Sequence, residues 1–208
     1  MNNMLLLPDH KIIFLFRHGM TEANEKGLYC GKTDLPLSKK GETFLRKKKE
    51  KNGYPDLKDF KIITSSLKRT SQSLGILYPE LLKKAEEKSD FNETDFGDFE
   101  MKSYEELKNC ESYKNWVQKI ADKNPQDNDF PCPNGESYVQ MKGRVLKSLE
   151  ILLQIHKSIA IFTHGGVISV IMEYFFPDEK KSIYEWSPDF GGGYKIMIKK
   201  GIASFTAL

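Results

Sequence analysis

Continuous apolar runs along the chain predict the strands of a buried sheet. Residues 11–17 and 158–163 are the clearest, because their inner positions are all apolar and include β-branched and aromatic side chains. Near the C-terminus, two segments flank Lys200-Gly201, which is typical of a hairpin. The predicted strands are residues 11–17, 60–64, 88–92, 158–163, 194–199 and 202–206.

Between these runs, apolar positions recur at helical spacing. Ser137 to His156 is the clearest helix, since Val145, Leu149 and Leu152 fall on one face of it. Ser38 is placed to cap a lysine-rich helix, and Ser65-Ser66 is placed to cap the next one. The predicted helices are residues 39–51, 67–77, 103–121, 137–156 and 166–176, and residues 18–37 are predicted to be a loop.

This order of elements predicts an α/β fold. Strands alternate with helices, which favours a three-layer sandwich with a mostly parallel central sheet, helices on both faces and an antiparallel C-terminal hairpin. The length of 208 residues fits a single domain over residues 1–208. Residues 93–135 are the least regular and contain three prolines, and we predict that about residues 99–135 form a cap or rim. Within them, Tyr104, Tyr113 and Trp116 are either an aromatic lid or ordinary packing, and packing is favoured.

Composition narrows the classes of function. The chain is 39% hydrophobic and 29% charged, as in a globular protein, and its net charge of +3 is too small to indicate nucleic-acid binding. No run approaches the roughly 20 apolar residues of a membrane span. Three cysteines without metal-site spacing fit a reducing compartment. With no signal peptide in view, we expect a cytoplasmic protein that binds neither nucleic acid nor membranes. Oligomeric state is left open, with a homodimer as one alternative.

Two of the four histidines follow the clearest strands. Arg17-His18-Gly19 ends the first, and His164-Gly165-Gly166 follows the run at 158–163. Ligands of open α/β sheets bind at this carboxyl edge. Because an arginine is joined to the first histidine, the pattern predicts a phosphate site.

The residue types at this edge suit transfer of a phosphoryl group. Histidine forms covalent intermediates, so His18 is the candidate nucleophile, provided that a backbone carbonyl binds its other ring N–H. Arg17 and Arg69 offer bidentate contacts to phosphoryl oxygens, while His164 adds a donor. Asn24 can supply a neutral hydrogen bond. Neighbours on a strand point to opposite faces, so Arg17 and His18 share a pocket only if the strand breaks at Gly19, which we predict.

A leaving alkoxide needs a proton, and Glu93 is the best candidate for the acid. A carboxyl in a partly buried site can donate the proton and then activate water. Asp95, Asp98 and Glu100 compete with it on chemistry alone.

Six segments of the chain, which follow one another in the family's order, resemble the motifs of the histidine phosphatase superfamily, also called the phosphoglycerate mutase-like family. The resemblance implies that His18 carries a phosphohistidine, that Arg17, Arg69 and His164 complete the phosphate pocket, and that Glu93 donates the proton. It implies no metal and no cofactor. The candidate substrate-binding residues are Thr21, Asn24, Gly31 and Gly165. The segments are Arg17 to Asn24, Thr33 to Gly41, Ser65 to Thr70, Glu93 to Gly97, Asn134 to Ser137 and Thr163 to Gly166.

One departure bears on the substrate. The small-phosphatase branch often has Phe-Gly-x-Trp-Glu-Gly after the acid, whereas Phe96 to Met101 has Phe in place of Trp and Met in place of the last Gly. The frame still favours a phosphatase that acts on a small-molecule phosphate monoester, with α-ribazole 5′-phosphate as the most specific candidate. The alternatives are a phosphoglycerate mutase-type phosphoryl transferase and a catalytically silent phosphate-binding module.

Overall fold

Residues 10–121 and 130–208 are described by a computed structural model. Six strands form one sheet, in the order β3-β2-β4-β1-β5-β6. The strands are β1 Lys11–Arg17, β2 Lys61–Thr64, β3 Glu86–Glu87, β4 Ser158–Thr163, β5 Gly193–Lys199 and β6 Ile202–Ala207. β1, β2, β3 and β4 are parallel to their neighbours in this set, whereas β5 and β6 are antiparallel, which confirms the predicted sheet.

The described residues form eight α-helices. Four of them, α2, α3, α6 and α7, follow the predicted helices closely. The helices are α1 Glu22–Glu25, α2 Lys39–Asn52, α3 Lys68–Leu77, α4 Tyr104–Leu107, α5 Glu111–Ala121, α6 Tyr138–Ile155, α7 Gly165–Phe175 and α8 Ile183–Trp186.

Alternation along β1 explains the layers. Ile13 and Leu15 pack in the core cluster that includes α6 and α7, whereas Phe14 and Phe16 pack in the cluster on the other face, with α3. Since successive side chains of a strand point to opposite faces, one apolar run supplies both cores. The sheet is therefore buried between two helical layers, as predicted.

The predicted strand over residues 88–92 is wrong. Ser89–Phe91 is a turn of 3₁₀ helix, and the edge strand is Glu86–Glu87. Phe91 is fully buried against the cluster of α6 and α7, and Thr163 Oγ1 donates to its carbonyl oxygen. The backbone turns into the core here instead of running along the sheet.

Short helices and caps account for the other differences. Residues 18–37 contain α1, which begins with a capping box between Thr21 and Asn24, and the predicted helix over 103–121 is two helices, α4 and α5. Ser38 caps α2 as predicted, because its hydroxyl accepts from Gly41 N–H. Ser65 and Ser66 do not cap α3: its N-cap is Leu67, which makes no side-chain cap bond.

The predicted cap contains a third apolar cluster. Tyr113 and Trp116 are buried in it at 4% and 6% exposure, so these rings pack, whereas Tyr104 is exposed. Residues 122–129 of the cap lie outside the described residues. Within the described part of the chain, no helix is long and apolar enough to span a membrane. The same part holds no cluster of three histidine, cysteine or acidic residues arranged for a metal ion.

Candidate active site

The two histidine segments meet at the carboxyl edge of the sheet. β1 pairs with β4 in parallel, with Arg17 opposite Thr163, and His18 N–H continues the ladder to Thr163 O at 3.0 Å. Gly19 N–H then leaves the sheet and donates to Ser73 Oγ at 2.9 Å. The predicted break at Gly19 is confirmed.

Arg17 is held on one edge of its guanidinium group. Nη1 donates to Pro188 O at 2.7 Å and to Ser187 Oγ at 3.2 Å. The buried Nε makes no hydrogen bond within the described residues. A buried N–H without an acceptor is costly, so this edge of the group is suited to an anionic ligand.

The tautomer of His18 follows from its neighbour. Nδ1 lies 2.6 Å from Gly19 O, and since a carbonyl only accepts, Nδ1 carries the proton and Nε2 is bare. Burial, and then the nearby Arg69 charge, hold the pKa of His18 well below its usual value of 6.5. The ring is therefore neutral near pH 7, with a free lone pair on Nε2, as a nucleophile requires.

His164 has the opposite tautomer. Its Nδ1 accepts from Arg69 Nε at 3.3 Å, so the proton is on Nε2, which lies 2.8 Å from Ser65 Oγ. Its ring centroid is 5.0 Å from that of His18. Burial and the Arg69 charge lower the pKa of His164 well below 6.5 as well. Two neutral imidazoles thus lie side by side.

Arg69 is 1% exposed and holds a loop in place. It donates to Gly31 O at 2.7 Å and to Thr33 O at 2.9 Å. The same loop surrounds the Glu100 carboxylate, which accepts from the backbone N–H groups of residues 31–33 and from Thr33 Oγ1. Glu100 thus links the cap segment to the arginine.

The four acidic candidates separate by their contacts. Glu100 is occupied by this loop, Asp95 pairs with Lys32 at 2.7 Å, and Asp98 accepts from the Asn134 amide. Glu93 instead lies at the start of α7, where its Oε2 accepts from Gly166 N–H at 3.1 Å. Among the four, it is the acid whose charge acts on both Arg17 and Arg69.

Arg144 positions the backbone that ends at Glu93. Its guanidinium group binds the Glu136 carboxylate through two nitrogens and also donates to the carbonyl oxygens of Asp90, Asn92 and Glu93. None of the six motif segments contains Arg144. The signal for it in the sequence is its position seven residues after the Gly-Glu-Ser segment, on the helix that this segment precedes.

The four predicted substrate-binding residues lie in three different places: at the N-terminus of α1, in the loop that Arg69 binds, and at the start of α7. Thr21 and Asn24 bind each other in the capping box, with Thr21 Oγ1 2.9 Å from Asn24 Oδ1. Gly31 lies in the loop that Arg69 holds. Gly165 packs so closely that a Cβ there would lie 2.4 Å from Ser187 Oγ and 3.3 Å from Arg17 Cζ. At Gly166 a Cβ would lie 2.5 Å from Glu93 Oε1. Both glycines allow the arginine and the acid to approach α7.

An open cavity of about 380 Å³ lies on the outer side of Glu93. Neither histidine nor Arg17 nor Arg69 lines it, and His18 is only 5% exposed. The cavity therefore adjoins Glu93 but is not lined by the histidines or by Arg17 and Arg69. Its lining residues are Lys32, Ser89, Asn92, Glu93, Asp95, Gly135, Glu136, Gln140 and Arg144.

The fold and this edge of the sheet define an α/β protein with a site of two histidines, two arginines and one carboxylate. The sequence profile of the histidine phosphatase superfamily (branch 1) matches residues 13–201. The chain belongs to this superfamily, as the motifs predicted.

Individual relatives carry phosphatase names. The chain is 30% identical over 166 residues to human 6-phosphofructo-2-kinase/fructose-2,6-bisphosphatase 4, covering 78% of this chain and 32% of that protein, so it spans about a third of that relative. It is 25% identical over 203 residues to the adenosylcobalamin/alpha-ribazole phosphatase of Escherichia coli K12, covering 94% of each. The crystal structure of the alpha-ribazole phosphatase from Shigella flexneri matches with a TM-score of 0.77 at 26% identity, covering 95% of each chain.

Proposed function

We propose that this protein hydrolyses phosphate monoesters through a phosphohistidine on His18, without a metal ion. The observation that carries the proposal is the neutral His18 ring, fixed by Gly19 O with Nε2 bare and close to two arginines. Membership of the superfamily and the phosphatase names of its relatives support the reaction class.

The charge of the site favours a dianion. Burial lowers the pKa of both Arg17 and Arg69, and nearby carboxylates only partly oppose this effect: Glu93 acts on both arginines, Asp189 on Arg17, and Glu100 and Asp34 on Arg69. Guanidinium groups stay charged in proteins, so the site keeps two buried cations. A phosphate ester brings negative charge to these cations and gives the unpartnered Arg17 Nε an acceptor.

The reaction has two displacements. In the first, His18 Nε2 attacks phosphorus, the P–O bond to the alcohol breaks, and Glu93, which enters this step as the neutral carboxylic acid, transfers its proton to the leaving oxygen. In the second, Glu93 takes a proton from water, the water oxygen bonds to phosphorus, and the P–N bond breaks to release inorganic phosphate. The arginines stabilise the phosphoryl oxygens in both steps, a contribution of about 3 kcal/mol for one well-placed donor.

A small phosphorylated metabolite is the substrate class, and α-ribazole 5′-phosphate is the specific candidate. Two relatives of matching length are named for this activity. The cavity beside Glu93 is lined by polar and charged residues and suits a leaving group rich in hydroxyls, such as a ribose.

Turnover of p-nitrophenyl phosphate in EDTA between pH 5 and 8 is the direct test. The wild type should release p-nitrophenol, and His18→Ala should lose this activity by orders of magnitude because no nucleophile remains. A phosphoryl group trapped on the wild type by rapid acid-free quenching should map to His18. Ser71→Ala, on the exposed side of α3, is the control and should behave as the wild type.

The outcomes separate the alternatives. Full activity in His18→Ala would reject the phosphohistidine step, and activity abolished by EDTA would reject the metal-free reaction. Conversion of 3-phosphoglycerate in the presence of its bisphosphate, with no net release of phosphate, would identify a mutase instead. Phosphate binding without turnover of any monoester would identify a silent binding module.

A further inference from the structure

The segment between α8 and β5, here called the 187–192 loop, surrounds Arg17. Arg17 N–H donates to Gly192 O at 2.9 Å, and Gly191 N–H donates back to Arg17 O at 3.1 Å. Ser187 Oγ and Pro188 O accept hydrogen bonds from Arg17 Nη1. The loop thus binds both the backbone and the side chain of one arginine.

Phe190 is the residue of this loop that faces the guanidinium plane. Arg17 Cζ lies 4.0 Å from the centroid of the Phe190 ring, and the His18 ring centroid lies 5.9 Å from it. An aromatic face attracts a guanidinium group. None of the six motif segments contains Phe190, so nothing in the resemblance assigns it a role.

The geometry determines which donors of Arg17 remain available. A planar guanidinium group has two edges, and Nε–H shares one edge with Nη2. The loop occupies Nη1 on the other edge, and the Phe190 ring covers one face. Within the described residues, the side-chain hydrogen bonds of Arg17 all run through Nη1, and the buried Nε on the opposite edge has no partner. This edge can therefore bind two phosphoryl oxygens.

We propose that Phe190 is a positioning residue of the phosphate site. Its ring keeps the Arg17 guanidinium group in one plane, so that the Nε edge faces the anion before it binds. Phe190 touches no reacting atom and acts through Arg17. The inference rests on the proposed function, because it assumes that the anion bound at Arg17 is a phosphate.

The affinity for inorganic phosphate tests this role without requiring turnover. Phe190→Leu keeps an apolar side chain but removes the ring. It should raise the dissociation constant for phosphate, measured by calorimetry, roughly 3- to 30-fold. Phe190→Tyr keeps the ring and should restore affinity to within about 2-fold. Phe44→Leu makes the same substitution at an exposed position on α2 and is the matched control.

NMR spectra of the wild type test the same role if Phe190→Leu fails to fold. The ring current of Phe190 should shift the Arg17 side-chain resonances upfield, and phosphate should move the Nε–H resonance while the upfield shift persists. Loss of the upfield shift on binding would show that the ring leaves the arginine, and would overturn the proposal.

The remaining outcomes are also decisive. Equal weakening in Phe190→Leu and Phe190→Tyr, or none in either, would overturn the role of the ring while leaving the proposed function intact. No detectable phosphate binding to a wild type that also lacks turnover would reject the proposed function itself.

Discussion

At the scale of single residues, the two histidines show how the fold selects tautomers. His18 donates a hydrogen bond from Nδ1–H to Gly19 O, whereas His164 accepts one at Nδ1 from Arg69, a group that can only donate. Nδ1 is therefore a donor in His18 and an acceptor in His164. As a result, the bare Nε2 of His18, which the proposed reaction uses for attack, and the Nε2–H of His164, which Ser65 binds, lie in one site.

These neutral rings make stability depend on pH. Both histidines have a pKa well below 6.5 in the folded protein, chiefly because of burial, while the unfolded chain protonates near 6.5. The unfolded state therefore binds more protons as the pH falls below 6.5, and the free energy of unfolding should drop. The expected slope is about 1.4 kcal/mol per pH unit for each ring. Urea unfolding in phosphate-free buffer from pH 7.5 to 5 measures it.

Variants assign the slope to residues. His18→Ala should remove about half of it, and His164→Ala should remove the other half, because these are the two rings whose pKa burial lowers. A free energy of unfolding that stays constant between pH 6.5 and 5 would mean that the buried rings accept protons in the folded state. That result would contradict the neutral His18 ring on which the proposed function depends.

At the scale of elements, the loop of residues 31–33 is anchored by the carboxylate of Glu100, which lies in the 99–135 segment. Glu100→Ala should release the N–H groups of this loop and leave Gly31 O and Thr33 O poorly placed for Arg69. We expect kcat/KM for a phosphate monoester to fall about 10- to 100-fold, because 1.4–2.8 kcal/mol of positioning is lost. Steady-state kinetics measures this change.

Asp98→Ala is the matched control, since it removes a neighbouring acid that binds only the Asn134 side chain among the described contacts. Its kcat/KM should stay within about 2-fold of the wild type. An equal loss of kcat/KM in Glu100→Ala and Asp98→Ala would mean that activity depends on the folding of the 99–135 segment in general. It would contradict a specific role of the Glu100 carboxylate in holding the loop.

Elements with strong hydrophobic periodicity were predictable, and elements made by tertiary contacts were not. β1 and β4 match their predicted bounds because their buried inner residues are a direct consequence of the apolar runs. The segment at 88–92 has an apolar residue, Phe91, but its course depends on Thr163 and Arg144, which are distant in sequence. Likewise, Ser65 is a good cap by type, yet its hydroxyl binds His164.

At the scale of the whole molecule, the order of strands brings the site together. β2, β4 and β1 are adjacent, so the segments after them place Arg69, His164 and His18 at one edge of the sheet. The motifs predicted this convergence, because parallel strands share a carboxyl edge. The 187–192 loop was not predicted, since its contacts with Arg17 follow from where the antiparallel β5 enters the sheet.

The convergence of buried cations has a consequence for the stability of the entire fold. Only the folded chain brings Arg17 and Arg69 together, so an anion that binds them must stabilise the folded state. Inorganic phosphate at ten times its dissociation constant should add about 1.4 kcal/mol, which corresponds to an increase of roughly 3–6 °C in Tm for a chain of this size. Calorimetric melting at fixed ionic strength, with chloride replacing phosphate in the reference, measures the shift. Arg17→Met should lose it, whereas Arg46→Met, on exposed α2, should keep it. An equal shift in both variants would place the bound phosphate elsewhere on the surface, because a site at the sheet edge needs Arg17 and does not need Arg46.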